Sequence, residues 1–159
     1  MLDTIRASAI APALALLPAR MTSPAAEAML LAIGLQESRL THRRQIGGPA
    51  RGLWQFERGG GVRGVLLHQS SRDMARHVCE ARGVEPTERA VYDRLEHDDV
   101  LAAAFARLLL WTDPLPLPVL GHVDAAWNLY ARTWRPGKPH PHTWPRLYQQ
   151  ALDAVRVTA

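Results

Sequence analysis

A single carboxylate closes an apolar run. In LAIGLQESRL, residues 31–40, Glu37 follows a stretch from Met29 to Gln36 that holds no charge, and Ser38 and Arg39 come directly after it. A glutamate in that position is either a solvated helix end or an acid partly withdrawn from water. In the second case desolvation disfavours the charged form, so the group keeps its proton near neutral pH. Such an acid can protonate a poor leaving group and then act as a base. Arg39 is expected to point away, because a cation facing Glu37 would favour the carboxylate.

Two other stretches carry side chains suited to the same chemistry. GLWQFE, residues 52–57, offers Trp54, Gln55 and Glu57, and AAWNLY, residues 125–130, offers Trp127, Asn128 and Tyr130. Proton delivery from a raised-pKa glutamate fits cleavage of a glycosidic bond through an oxocarbenium-like transition state. Gln55 and Asn128 are amides that suit N-acetyl groups or, equally, loop backbone. Trp54 and Trp127 fit a sugar face or the core. Tyr130 is placed to reach the same cleft. Ser38 either orients Glu37 or ends its helix. Glu57 is the candidate second acid for a hydrolytic route, whereas Asp98 and Asp99 read as the cap and first turn of a helix.

The elements that must position these groups are almost all helical. Ser23 as N-cap, Pro24 at the first helical position and Glu27 in the first turn open a helix expected to end near Leu40. Met29, Leu30, Ile33 and the Gln36–Glu37 pair fall on one broad face of it. The loop THRRQIGGPARGLWQFERGGG follows with six of the 11 glycines and no helical period. Helices are expected at VRGVLLHQ, at SSRDMARHVCEAR with Ser70 or Ser71 as cap, and at EPTERAVYDRLE. The strongest is DDVLAAAFARLLLWTD, with Val100, Leu101, Ala104, Phe105, Leu108 and Trp111 as its core face. The prolines of DPLPLP then impose an extended connector. VLGHVDAAWNLYARTW and TWPRLYQQALDAVRV, the latter with Thr143 as cap, complete an all-α domain over residues 1–159. Residues 1–20 read as an amphipathic helix packed on that domain rather than as an export signal: Asp3 offsets Arg6, and Pro12 and Pro18 interrupt the apolar stretch.

Composition sets the outer limits. The 159 residues are 47% hydrophobic and 21% charged, which is globular. The net charge of +4 favours an anionic partner. Cys79 is the only cysteine, so no intramolecular disulfide or cysteine-based zinc site is available, and a buried thiol is expected. His140 and His142 in KPHPH lack a third ligand nearby and read as exposed, so no metal and no cofactor is expected. His42, Arg43 and Arg44 fit either contacts to carboxylates or phosphate or a solvated loop. The arginines form no single helical stripe, which argues against nucleic acid. No apolar run approaches the ~20 residues of a membrane span, so no stable membrane insertion is expected.

The trio Glu37-Ser38, Gly52-Leu53-Trp54-Gln55 and Ala126-Trp127-Asn128 resembles the lysozyme-like lytic transglycosylases, a group that includes goose-type lysozyme relatives. Trp54 stands where methionine is common and Trp127 where tyrosine is. Ile46 replaces a usual serine, Pro49 a glycine, and Leu129-Tyr130 an Ala-Gly pair. The resemblance implies a lysozyme-like helical fold with a glycine-rich active-site loop in place of a well-formed sheet. It implies cleavage of the MurNAc–GlcNAc bond of peptidoglycan, with Glu37 as sole general acid/base and a 1,6-anhydro product. Ser38, Trp54, Gln55, Glu57, Trp127, Asn128 and Tyr130 are the expected substrate-binding set. A muramidase of the same fold, or an inactive glycan-binding or virion module, are the alternatives. Compact size and an arginine- and alanine-rich composition fit a phage or prophage enzyme. It would be made as a soluble cytoplasmic protein and reach the periplasmic wall by lysis or within a virion.

Overall fold

The computed structural model describes residues 1–158, with side chains through residue 156. Among these residues there are eight helices and no strand. They are α1 (2–15), α2 (Pro24–Ser38), α3 (Arg63–Leu67), α4 (Arg72–Arg82), α5 (Glu88–Leu95), α6 (Asp99–Trp111), α7 (Val123–Trp134) and α8 (Trp144–Thr158). The all-α expectation holds over them, and Ala159 lies outside the described residues.

Helix α6 is the axis of the core. Every residue from Leu101 to Leu110 is buried, so the expected single core face is in fact the whole circumference. Its start is the one read from the sequence: the Asp98 carboxylate accepts from Leu101 N at 2.9 Å. Helix α1 packs across α6 through Ala9, Ile10, Ala13 and Leu14, and its middle turn, Arg6–Ile10, is widened to a π turn just before Pro12. Arg6 ties α1 down, donating to Glu27 at 2.7 Å and to the Ala154 carbonyl at 2.9 Å. No helix among the described residues is long and apolar enough to cross a membrane.

Helix α2 packs chiefly on α8. Ser23 caps it by accepting from Ala26 N at 3.0 Å, with Pro24 following. Ala28 to Leu35 are buried without interruption, so this helix too exceeds the one-faced pattern, being enclosed by α8, α6 and the loop after it. It stops where Arg39 and Leu40 turn to left-handed φ values of 57° and 54°. That turn folds Leu40 back under the helix, where its side chain packs closely against Gly34. A Cβ on Gly34 would lie 2.3 Å from a Leu40 methyl carbon.

The loop from Thr41 to Glu57 is irregular but fixed. Arg51 and Phe56 exchange two backbone hydrogen bonds of 2.9 Å around a tight turn, and Arg44 forms an isolated antiparallel bridge to Arg51. Gly52 has φ 79°, and a Cβ there would meet the Leu95 carbonyl at 2.7 Å. Arg43 pairs with Asp99, and Arg44 with Glu96 at 2.6 Å, so neither is the free ligand for carboxylates or phosphate that the sequence allowed. Beyond Glu57 the RGGGV stretch is a wide helical turn leading into α3, where no helical period was legible.

Two cap assignments change. Ser71 occupies the cap position of α4, but its hydroxyl donates to the Val65 carbonyl at 2.7 Å. Thr143 lies in a short 3₁₀ turn before α8 and donates to Gln36 Oε1 at 3.0 Å instead of capping.

The loop meets the ends of two helices through consecutive carbonyls. Ser38 Oγ, at the end of α2, donates to Leu53 O at 2.6 Å, and Trp134 Nε1, at the end of α7, donates to Trp54 O at 3.0 Å. Ser38 Oγ also accepts from Leu40 N at 3.1 Å. Leaving such buried groups without partners costs about 1–3 kcal/mol. Ser38→Ala is therefore expected to lose about that much stability in urea unfolding, with the helix content of the folded state unchanged.

Candidate active site

Glu37 lies in the last turn of α2, beyond the buried stretch, and keeps partial access to solvent. Helix α7 brings Tyr130 to it: the phenol donates to Glu37 Oε2 at 3.3 Å. Tyr130 itself is 2% exposed. Burial, then the adjacent Glu37 carboxylate, push its pKa above the ordinary phenol range, so it stays a donor.

Burial raises the Glu37 pKa from 4.5 to about 7. The Tyr130 hydrogen bond pulls in the opposite direction, and the negative charge of Glu57 adds a smaller push upward. Desolvation wins. The difference corresponds to about 3 kcal/mol between protonated and ionised forms. Arg39 is exposed, and its guanidinium turns back along α2 to the Leu35 carbonyl at 3.4 Å, away from the acid.

An aromatic ladder supplies the apolar setting. Trp144 stacks on Tyr130 with centroids 5.2 Å apart and planes 5° apart, and Tyr148 stacks on Trp144 at 5.8 Å. On the other side Tyr130 meets Trp134 at 6.1 Å, Trp134 meets Phe56 at 5.9 Å, and Phe56 meets Phe105 of α6 at 6.4 Å. The phenol facing Glu37 is thus held from the core outward by rings from α6, the loop, α7 and α8. Such ring pairs are worth about 0.5–1.5 kcal/mol each beyond their area.

The predicted residues separate into those at the acid and those that build the frame. Trp127, half-buried, packs edge-on against Tyr130 at 5.4 Å and Trp144 at 5.7 Å. Asn128 is exposed on the next position of α7. Glu57 is exposed on the loop, close enough for its charge to act on Glu37. Three others serve the frame. Trp54 is fully enclosed and donates to Leu30 O at 2.8 Å, so its ring is core and not a sugar platform. Gln55 sits at φ 54° and donates to the Gly52 and His42 carbonyls at 2.9 and 3.3 Å, which makes it a loop brace. Ser38 is spent on Leu53 and Leu40, not on orienting Glu37.

Sequence reasoning missed Trp134, Trp144 and Gln36. Gln36 Nε2 donates to the His140 carbonyl at 3.1 Å, and its oxygen accepts from Thr143, pinning the PHPH turn beside the acid. The signal for Trp134 was present: Trp127, Tyr130 and Trp134 recur at three- and four-residue spacing on α7, a single helical face. His140 and His142 are exposed, with rings 5.8 Å apart. Among the described residues no cluster of three His, Cys, Asp or Glu is arranged to hold a metal ion. Cys79 is a buried thiol whose pKa burial pushes up to about 11.

Comparison with protein-family models, with curated proteins and with solved structures found no match, so the three motifs and this geometry carry the functional reading by themselves.

The raised pKa has a thermodynamic consequence with a definite sign. Between pH 4.5 and about 7 the folded chain holds a proton on Glu37 that the unfolded chain releases, so stability falls as pH rises through that window. Glu37→Gln removes this dependence. The variant is expected to be more stable than the native chain at pH 8, by up to about 3 kcal/mol, and to approach it at pH 4. Thermal unfolding across that range measures the difference.

Proposed function

We propose that this chain is a lytic transglycosylase of the lysozyme-like kind, cleaving the β-1,4 bond between MurNAc and GlcNAc in peptidoglycan. The observation that carries the reading is a lone half-buried glutamate, held by a buried phenol, with a pKa of about 7. Protonated Glu37 donates to the glycosidic oxygen as the C1–O bond breaks. The acetamido group of the substrate supports the cation that develops at C1. Glu37, now a carboxylate, takes the proton of the sugar's own C6 hydroxyl, and that oxygen closes on C1. The product carries a 1,6-anhydro end, Glu37 is protonated again, and no water is consumed. Tyr130 remains a donor throughout and is placed to stabilise the carboxylate form between the two proton transfers. Trp127 and Asn128 are the accessible side chains from which a sugar contact would be built.

One observation favours a second reading. Glu57 is exposed and its charge reaches Glu37. A carboxylate so placed could activate water, which would make the chain a hydrolysing muramidase with reducing product ends. In either case the substrate lies in the periplasm, and delivery by phage lysis or within a virion is part of the proposal.

Glu37→Gln is expected to lower clearance of purified peptidoglycan by about 10²–10⁴-fold, the usual scale of general acid catalysis. Wild-type activity should fall as pH rises above about 7, where the acid loses its proton. Mass spectrometry of the released fragments should find anhydro ends. Reducing ends that vanish in Glu57→Gln would favour the hydrolase, and equal clearance by wild type and Glu37→Gln would refute both.

A further inference from the structure

The helices that supply Glu37 and Tyr130 end in the same unusual way. Each terminates in an arginine with left-handed backbone, Arg39 at φ 57° after α2 and Arg135 at φ 49° after α7. Glycine is the residue that takes this conformation without strain, and α4 uses it, with Gly83 at φ 67°. Both arginines follow directly on the side chains anchored to the loop. Ser38 holds Leu53 O and Trp134 holds Trp54 O, so each arginine comes next in the chain after a residue tied to one of two adjacent loop carbonyls.

Neither charge is compensated. Among the described residues, Arg43, Arg44 and Arg51 of the loop and Arg132 of α7 each have a carboxylate partner, while Arg39, Arg135 and Lys138 have none. All three of these unpaired cations are exposed. The sequence from residue 125 to residue 152 contains no aspartate or glutamate at all. The turn carrying Lys138 is also fixed to the site, because the His140 carbonyl accepts from Gln36, the residue before Glu37. A charge pattern that served only solubility would not need the glycine position of both site helices. A favourable contact with the helix dipole accounts for part of Arg39, through Leu35 O at 3.4 Å, but Arg135 makes no such contact.

We infer that Arg39, Arg135 and Lys138 form a cationic rim that binds the carboxylates of the peptide stems on the glycan strand. The substrate is then the peptide-bearing strand and not the bare glycan. Guanidinium groups suit this task because they present paired donors to a carboxylate. The inference rests on the peptidoglycan reading of the site, but binding can be measured without cleavage, so the two fail separately.

The test is binding of the intact chain to surface-immobilised glycan strands from purified sacculi, either peptide-bearing or stripped of their stems by an amidase, read in the cold before cleavage proceeds. The wild type should bind the peptide-bearing material at least about tenfold more tightly, a preference that added salt reduces. The Arg39→Gln/Arg135→Gln double variant should lose that preference, with an unchanged melting temperature. Should the double variant melt early, Lys138→Gln alone, on the exposed turn, should reduce the preference in part. Equal binding to both materials, or a preference unaltered in all variants, would overturn the inference. So would tighter retention on duplex DNA than on sacculi, which would make the rim a phosphate site. Absence of released fragments together with a stem-dependent, arginine-dependent preference would sustain the rim and remove the catalytic reading alone.

Discussion

Two consecutive loop carbonyls govern the geometry of this protein. Leu53 O receives the Ser38 hydroxyl and Trp54 O receives the Trp134 indole, so two successive peptide units fix the C-terminal ends of α2 and α7. Glu37 precedes the first anchor by one residue, and Tyr130 lies one turn before the second. Their 3.3 Å contact therefore depends on where residues 53 and 54 sit. The loop in turn is held by its glycines, by the Arg51–Phe56 backbone pair, by Glu96 at the end of α5 and by Asp99 at the head of α6. The aromatic ladder, from Phe105 through Phe56 to Tyr130, carries that position out from the core.

Against this frame the behaviour of Glu37 is a contest between burial and hydrogen bonding. A phenol donor favours the carboxylate, yet a single neutral donor at 3.3 Å is weak compared with the removal of water from most of the side chain. The result is a group near 7 that gives and recovers a proton at little cost in either direction, as a single acid/base requires. A tighter phenol contact, or a cation in place of Tyr130, would pull the carboxyl back toward ordinary values and weaken it as an acid. Arg39 illustrates the constraint, since it is adjacent in sequence but its guanidinium lies back along α2.

The sequence was most legible where the signal is local. Ser23, Pro24 and Asp98 begin their helices as their types dictate, and the carboxylate at the end of the apolar run is where desolvation acts. It misled where a side chain has two plausible partners at long range. Ser38, Ser71 and Thr143 all sit where local capping or orientation is reasonable, yet Ser38 and Thr143 donate to groups that only tertiary folding brings near, and Ser71 donates back to Val65 O across the turn between α3 and α4. Trp54 was ambiguous because indole suits sugar faces and cores alike, and its full burial and its bond to Leu30 O assign it to the core. The pinning of the PHPH turn by Gln36 joins residues 104 positions apart, and no spacing rule reaches that far.

The central claim is that Glu37 holds its proton near neutral pH. The most direct measurement is a carbon NMR titration of the glutamate side-chain carboxyls, with Glu37→Gln used to assign the signal. A midpoint near 7, well apart from the other glutamates, is the predicted result. A midpoint at about 4.3, the ordinary glutamate value, would contradict the account and leave Glu37 as a helix end without acid function.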